Sequence, residues 1–71
     1  MYQKTIRELR EDNDKTQAEI GAVIGVPQSY YSKQELGLKP FKVEQIIELA
    51  KYYKVSADYI LGLPRGLDWP R

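Results

Sequence analysis

An all-α fold of five short helices is predicted by three features of the chain. Apolar residues recur three and four positions apart, the period at which one face of a helix meets a core. Capping residues and glycines interrupt that periodicity repeatedly. No segment reads as a credible strand, repeat or low-complexity stretch.

Thr5 followed by Glu8 fits a capping box, and Ile6 and Leu9 lie three apart, so a first helix is expected near residues 3 to 12, ended by Asn13 and Asp14. Thr16 and Glu19 repeat the box. Ile20, Val23 and Ile24 then form an apolar face over 17 to 24, closed by Gly25, the usual residue for a left-handed helix end. Gly21, inside that helix, costs about 1 kcal/mol relative to alanine, so a close approach by the next helix is expected there. Pro27 suits a helix start, where its missing N–H does no harm, and a third helix is expected from Pro27 or Gln28 to about Leu36, ended by Gly37. Phe41, Val43, Ile46, Ile47, Leu49 and Ala50 mark a fourth helix through Tyr53, the longest apolar stripe of the chain. Ser56 caps a fifth, Ala57 to Leu61, followed by Gly62 and Pro64. The organisation expected is one domain over 1 to 64 and a tail over 65 to 71.

The composition narrows the chemistry. The 71 residues hold no cysteine and no histidine, which removes a disulfide framework and the two commonest zinc ligands, so no metal or other cofactor is expected. With no phosphate-binding glycine loop and no paired carboxylates facing a pocket, nothing can be assigned as nucleophile or base, and an enzyme is not expected. Glu44 and Glu48, at i and i+4, read as a solvated face. No leader pattern opens the chain, and no apolar run nears the roughly 20 residues a membrane crossing needs, so a soluble cytoplasmic protein is expected. The net charge of +1 is too small to imply nucleic-acid binding by itself. Its distribution is uneven: residues 1 to 25 carry four Lys/Arg against five Asp/Glu, and residues 26 to 54 five against three.

Helices two and three, joined by a glycine-containing turn of three or four residues, have the form of a helix-turn-helix. At this point the chain resembles the phage repressor and Cro-like, or xenobiotic-response-element type, helix-turn-helix family. The residues carrying the resemblance are IRELRED, TQAEIGAVIGVPQSYYSKQELG and FKVEQIIELAKYYKVSADYILGLP, from Ile6 to about Leu63. What it implies is a compact five-helix lambda-repressor-like domain that binds double-stranded DNA with its third helix in the major groove.

Carried over position by position, the resemblance places Gln28, Ser29, Ser32 and Lys33 at base edges. Glutamine suits adenine, lysine suits the guanine O6/N7 pair, and the serines are less selective. Gln17, at the start of the second helix, Tyr30, pointing outward, Lys39, the backbone around Phe41, and Lys42 are expected at phosphates. Arg10 and Glu35 match a structural pair that bridges the first and third helices. Tyr31 takes the core-facing position. Relatives bind as two-fold dimers on palindromic operators, and Tyr59, Leu63, Pro64, Leu67 and Trp69 are the residues expected to supply that contact. Trp69 could instead fold back on its own domain.

Two departures from the family pattern matter. Gln34 stands where relatives place an apolar side chain, and is expected at the rim with its amide in water, since burying an unpaired amide costs roughly 1–3 kcal/mol. The loop after the third helix is poor in basic residues, with Leu36 and Leu38 beside Lys39, so weaker, more salt-sensitive binding is expected. A transcriptional regulator, a repressor rather than an activator for want of room for a sensing domain, is the function implied. The rival is an antitoxin-like or regulator-binding module that keeps the fold and has lost DNA binding.

Overall fold

The computed structural model describes residues 2–62. They form α1 (Tyr2–Asp12), α2 (Gln17–Val23), α3 (Gln28–Glu35), α4 (Val43–Tyr53) and α5 (Ala57–Leu61), and no strand occurs among them. The proposed tail and the candidate contacts Leu63, Pro64, Leu67 and Trp69 lie outside the described residues.

The expected five-helix order is therefore present, with one correction at its start. Thr5 does not cap α1. The helix begins at Tyr2, a turn earlier, and Thr5 sits half-buried within it. The second box does form: the Glu19 amide donates to Thr16 Oγ1 at 3.1 Å and the Thr16 amide to Glu19 Oε1 at 2.8 Å. Those bonds also hold the Glu19 carboxyl below its ordinary value, chiefly through the Thr16 backbone amide. Ser56 caps α5 by accepting from the Tyr59 amide at 3.0 Å.

The core contains Ile6, Ile20, Tyr31, Phe41, Ile46, Leu49, Ala50 and Ile60, so every helix contributes at least one buried side chain and the α3–α4 loop contributes Phe41. Burying a residue such as Ile20 contributes roughly 1.5–3 kcal/mol. Phe41 is met edge-on by Tyr2, with ring centroids 5.9 Å apart, and by Tyr31 at 6.3 Å; such T-shaped pairs add about 0.5–1.5 kcal/mol beyond area burial. This ties the loop to α1 and α3. Helix α2 packs on α3, α1 reaches α3 and α5, and α4 lies against α5 and α2. No helix among the described residues is long and apolar enough to cross a membrane.

Candidate nucleic-acid interface

The α2–α3 corner is built around two glycines. Gly25 has φ +75°, open to glycine at little cost, and turns the chain so that the Val26 amide returns to the Gly21 carbonyl at 2.9 Å. A Cβ on Gly21 would stand 2.9 Å from the Val26 carbonyl oxygen and 3.5 Å from Tyr31 Cβ. The close approach expected at Gly21 is thus real, and its tightest part is the backbone of the turn. Pro27 then caps α3 without a side-chain bond, and its carbonyl accepts from Tyr31 at 3.0 Å.

Positions 28 and 32, and 29 and 33, are one turn apart, so the four residues expected at base edges occupy two neighbouring rows of α3. Gln28, Ser29 and Lys33 are exposed. Ser32 is half-buried and lines a cleft with Arg7, Arg10, Gln17, Glu35 and Leu36. Tyr30 is half-buried at the edge of this face, and the Tyr31 ring is fully enclosed. Lys39 and Lys42 are exposed in the α3–α4 loop, whereas the Phe41 side chain is committed to the core, leaving only its backbone for a ligand. Tyr59 on α5 is 55% exposed.

Beneath this face lies a polar hub. The Glu35 carboxylate accepts from Arg10 Nε at 2.7 Å and Arg10 Nη2 at 3.2 Å, a two-pronged pair between α1 and the end of α3. It accepts further from the Tyr31 hydroxyl at 2.5 Å and from Gln17 Nε2 at 3.2 Å. Arg10 Nη1 also donates to the Lys15 carbonyl at 3.0 Å. The side chains of Arg10 and Glu35 are only 14% and 3% exposed, so the pair is a buried one. Burial alone would raise the Glu35 pKa. The donors from Arg10, Tyr31 and Gln17 outweigh it and hold the carboxyl below its ordinary range. Burial pushes the Tyr31 hydroxyl up, and the hydrogen bond to Glu35 adds to the shift. Sequence reading found the Arg10–Glu35 pair but not the convergence of Tyr31 and Gln17 on it. The i, i+4 spacing of Tyr31 and Glu35 was the available signal.

Gln34 corrects an expectation. It is fully buried rather than at the rim, and its Nε2 donates to the Pro40 carbonyl and to Gln45 Oε1, both at 3.0 Å. Gln45 Oε1 also accepts from the Lys42 amide at 2.9 Å, the reciprocal half of a capping box at the start of α4. Gln34 Oε1 is buried without a protein partner, a cost of about 1–3 kcal/mol. Partners six and eleven positions downstream carry no local signal of such a network. Among the described residues no group of three or more His, Cys, Asp or Glu could hold a metal ion.

Residues 6–60 match the model of a family described as Helix-turn-helix. The chain belongs to the helix-turn-helix family. This agrees with the resemblance to phage repressor and Cro-like proteins carried by its residues. The helix-turn-helix chain is 36% identical over 63 residues, 89% of its length and 56% of the relative's, to the uncharacterized HTH-type transcriptional regulator YobD of Bacillus subtilis (strain 168). It is 38% identical over 55 residues, 78% of its length and 50% of the relative's, to the cryptic phage CTXphi transcriptional repressor RstR of Vibrio cholerae. It therefore spans about half the length of these curated relatives. No solved structure matches it. The match identifies a helix-turn-helix domain of the kind that transcriptional regulators carry, with α2 and α3 as its two defining helices.

Proposed function

We propose that this chain is a sequence-specific, DNA-binding transcriptional regulator, a repressor that acts in the cytoplasm as a homodimer on a palindromic operator, without cofactor and without enzymatic activity. The observation that carries the reading is the outward face of α3. Gln28, Ser29 and Lys33 stand exposed on two adjacent rows, with Ser32 beside them, on a helix fixed from behind by the Gly21–Gly25 corner and the Glu35 hub. An α-helix fits the major groove, where amide, hydroxyl and ammonium groups meet distinct base-edge patterns. Gln17, Tyr30, Lys39, the Phe41 backbone and Lys42 are assigned to flanking phosphates, which set register and supply much of the affinity. The domain is taken to span residues 1 to 64, with 65 to 71 as a tail; Tyr59, Leu63, Pro64, Leu67 and Trp69 are assigned to the contact between protomers.

Titration of a mixed-sequence DNA pool at low salt tests this reading. Retention with enrichment of a two-fold symmetric site is the expected result, and no retained DNA at micromolar protein would refute it. A second reading has one observation in its favour. Leu36, Leu38 and Val43 are each more than two-thirds exposed, which suits a module that binds a protein partner in place of DNA, as an antitoxin-like protein does. The same titration separates the two.

A further inference from the structure

We infer that Gln34 is a positioning residue which fixes the α3–α4 loop, and with it Lys39 and Lys42, at a set distance from the reading face of α3; this rests on the DNA-binding reading above. The end of α3 is closed by two backbone bonds, Leu38 to the Lys33 carbonyl at 2.9 Å and Gly37, at φ +80°, to the Gln34 carbonyl at 3.1 Å. Among the described residues, the next backbone ties in the chain are at Lys42, whose carbonyl accepts from Gln45 and Ile46 at 3.0 and 3.1 Å.

Between those two anchors the chain is held by the buried Phe41 ring and by the Gln34 amide. Its nitrogen spends both hydrogens on this segment, one on the Pro40 carbonyl and one on Gln45 Oε1, which in turn receives the Lys42 amide. The orientation of the amide follows from that chain of bonds. Gln45 must present oxygen to the Lys42 N–H, so Gln34 must present nitrogen to Gln45. A shape-matched apolar residue would fill the site without leaving Oε1 unpaired. The two donors therefore serve the placement of the loop rather than the stability of the core, and the loop so placed carries two exposed lysines, Lys39 and Lys42. Groove and phosphate contacts must be made together by one rigid surface, and the Gln34 link supplies that rigidity where the loop is sparse in cations.

The test is a thermodynamic cycle on operator DNA with four proteins: the unaltered chain, Gln34→Met, Lys39→Ala with Lys42→Ala, and all three substitutions together. Gln34→Met is expected to melt at or above the temperature of the unaltered protein. It should bind the operator more weakly, with the slope of log K against log salt reduced by about one to two, since each phosphate contact contributes about 0.9. Added to the lysine variant, it should cause no further loss. Losses that multiply independently, or an unchanged salt slope in Gln34→Met, would overturn the inference. Should Gln34→Met fail to fold, Gln45→Met, at a half-buried position, cuts the tie from Gln34 to the Lys42 amide while leaving the bond to the Pro40 carbonyl. It is expected to melt lower, because a buried Gln34 hydrogen loses its acceptor, and to weaken operator binding and reduce the salt slope in the same direction, an unchanged slope overturning the inference. Failure of the unaltered chain to bind DNA would bring down the DNA-binding reading and this inference with it, an outcome distinct from a variant that binds like its parent.

Discussion

The side chains of α3 divide its labour within eight residues. Gln28 is exposed and free to meet a base, whereas Glu35 is buried and spoken for by Arg10, Tyr31 and Gln17. Gln28→Ala is expected to cost about 1–3 kcal/mol at the preferred site and to relax selectivity at one base pair; competition binding against single-substituted operators measures it, and equal loss at every site would contradict the assignment. Glu35→Ala leaves the largely enclosed Arg10 without its main partner, only the Lys15 carbonyl and the more exposed Glu11 remaining to it, and urea unfolding should show a loss of up to about 3–5 kcal/mol. Acid should reproduce part of that loss in the unaltered protein. Because the Glu35 carboxyl titrates lower in the folded chain than the roughly 4.3 of an unfolded glutamate, its contribution is complete above that value. The contribution fades as pH falls through the lower, folded pKa. A Glu35→Gln variant should show a shallower decline in unfolding free energy between about pH 5 and pH 2. At this scale the sequence was partly legible. Tyr31 as an inward residue could be read from its position after the glycine turn, and the Arg10–Glu35 pair from the family resemblance. The fate of Gln34 could not, because whether a buried amide is tolerable depends on acceptors at Pro40 and Gln45 that only the folded chain brings to it.

Helix boundaries were the most legible feature, since they are set by local chemistry: Thr16 with Glu19, Ser56, and the left-handed glycines 25, 37 and 62 act on neighbours a few residues away. The misreading of Thr5 has the same origin. A Thr-x-x-Glu pattern is a cap only at a helix start, and Tyr2, packed against Phe41, draws the helix back past it. The α2–α3 corner is the most demanding of these elements, because its clearance is fixed by backbone on one side. Gly21→Ala should therefore lower stability by about 1–3 kcal/mol, as overpacking does, despite the better helix propensity of alanine; calorimetry on the variant checks this. The α3–α4 loop bears the proposed phosphate contacts, and Lys39→Glu there should weaken binding to all sequences alike and lower the salt slope by about one, read from titrations across a salt series.

For the whole molecule, the buried set runs from Ile6 to Ile60 and matches the span of the family model. The apolar pattern and the resemblance both pointed to five helices, so the architecture was open to reading from sequence. What was not open is the assembly. A monomeric helix-turn-helix reaches few base pairs, and two copies on half-sites roughly 34 Å apart are proposed to act together; sedimentation should show a dimer on a palindromic site, and monomer alone both free and with DNA would refute it. The Glu35 hub has a consequence of another kind. One carboxylate draws its donors from α1, from the first turn of α2 and from α3 itself, so α1 and α3 cannot part without breaking a charge pair, and detachment of α2 takes a further donor from the same carboxylate. Loosening the reading helix alone is thereby discouraged, and these elements open together or stay closed. On the proposed DNA-binding function, a surface fixed in that way would meet DNA with its side chains already in register, the ordering entropy that a floppy helix would lose on binding having been settled in advance, at folding.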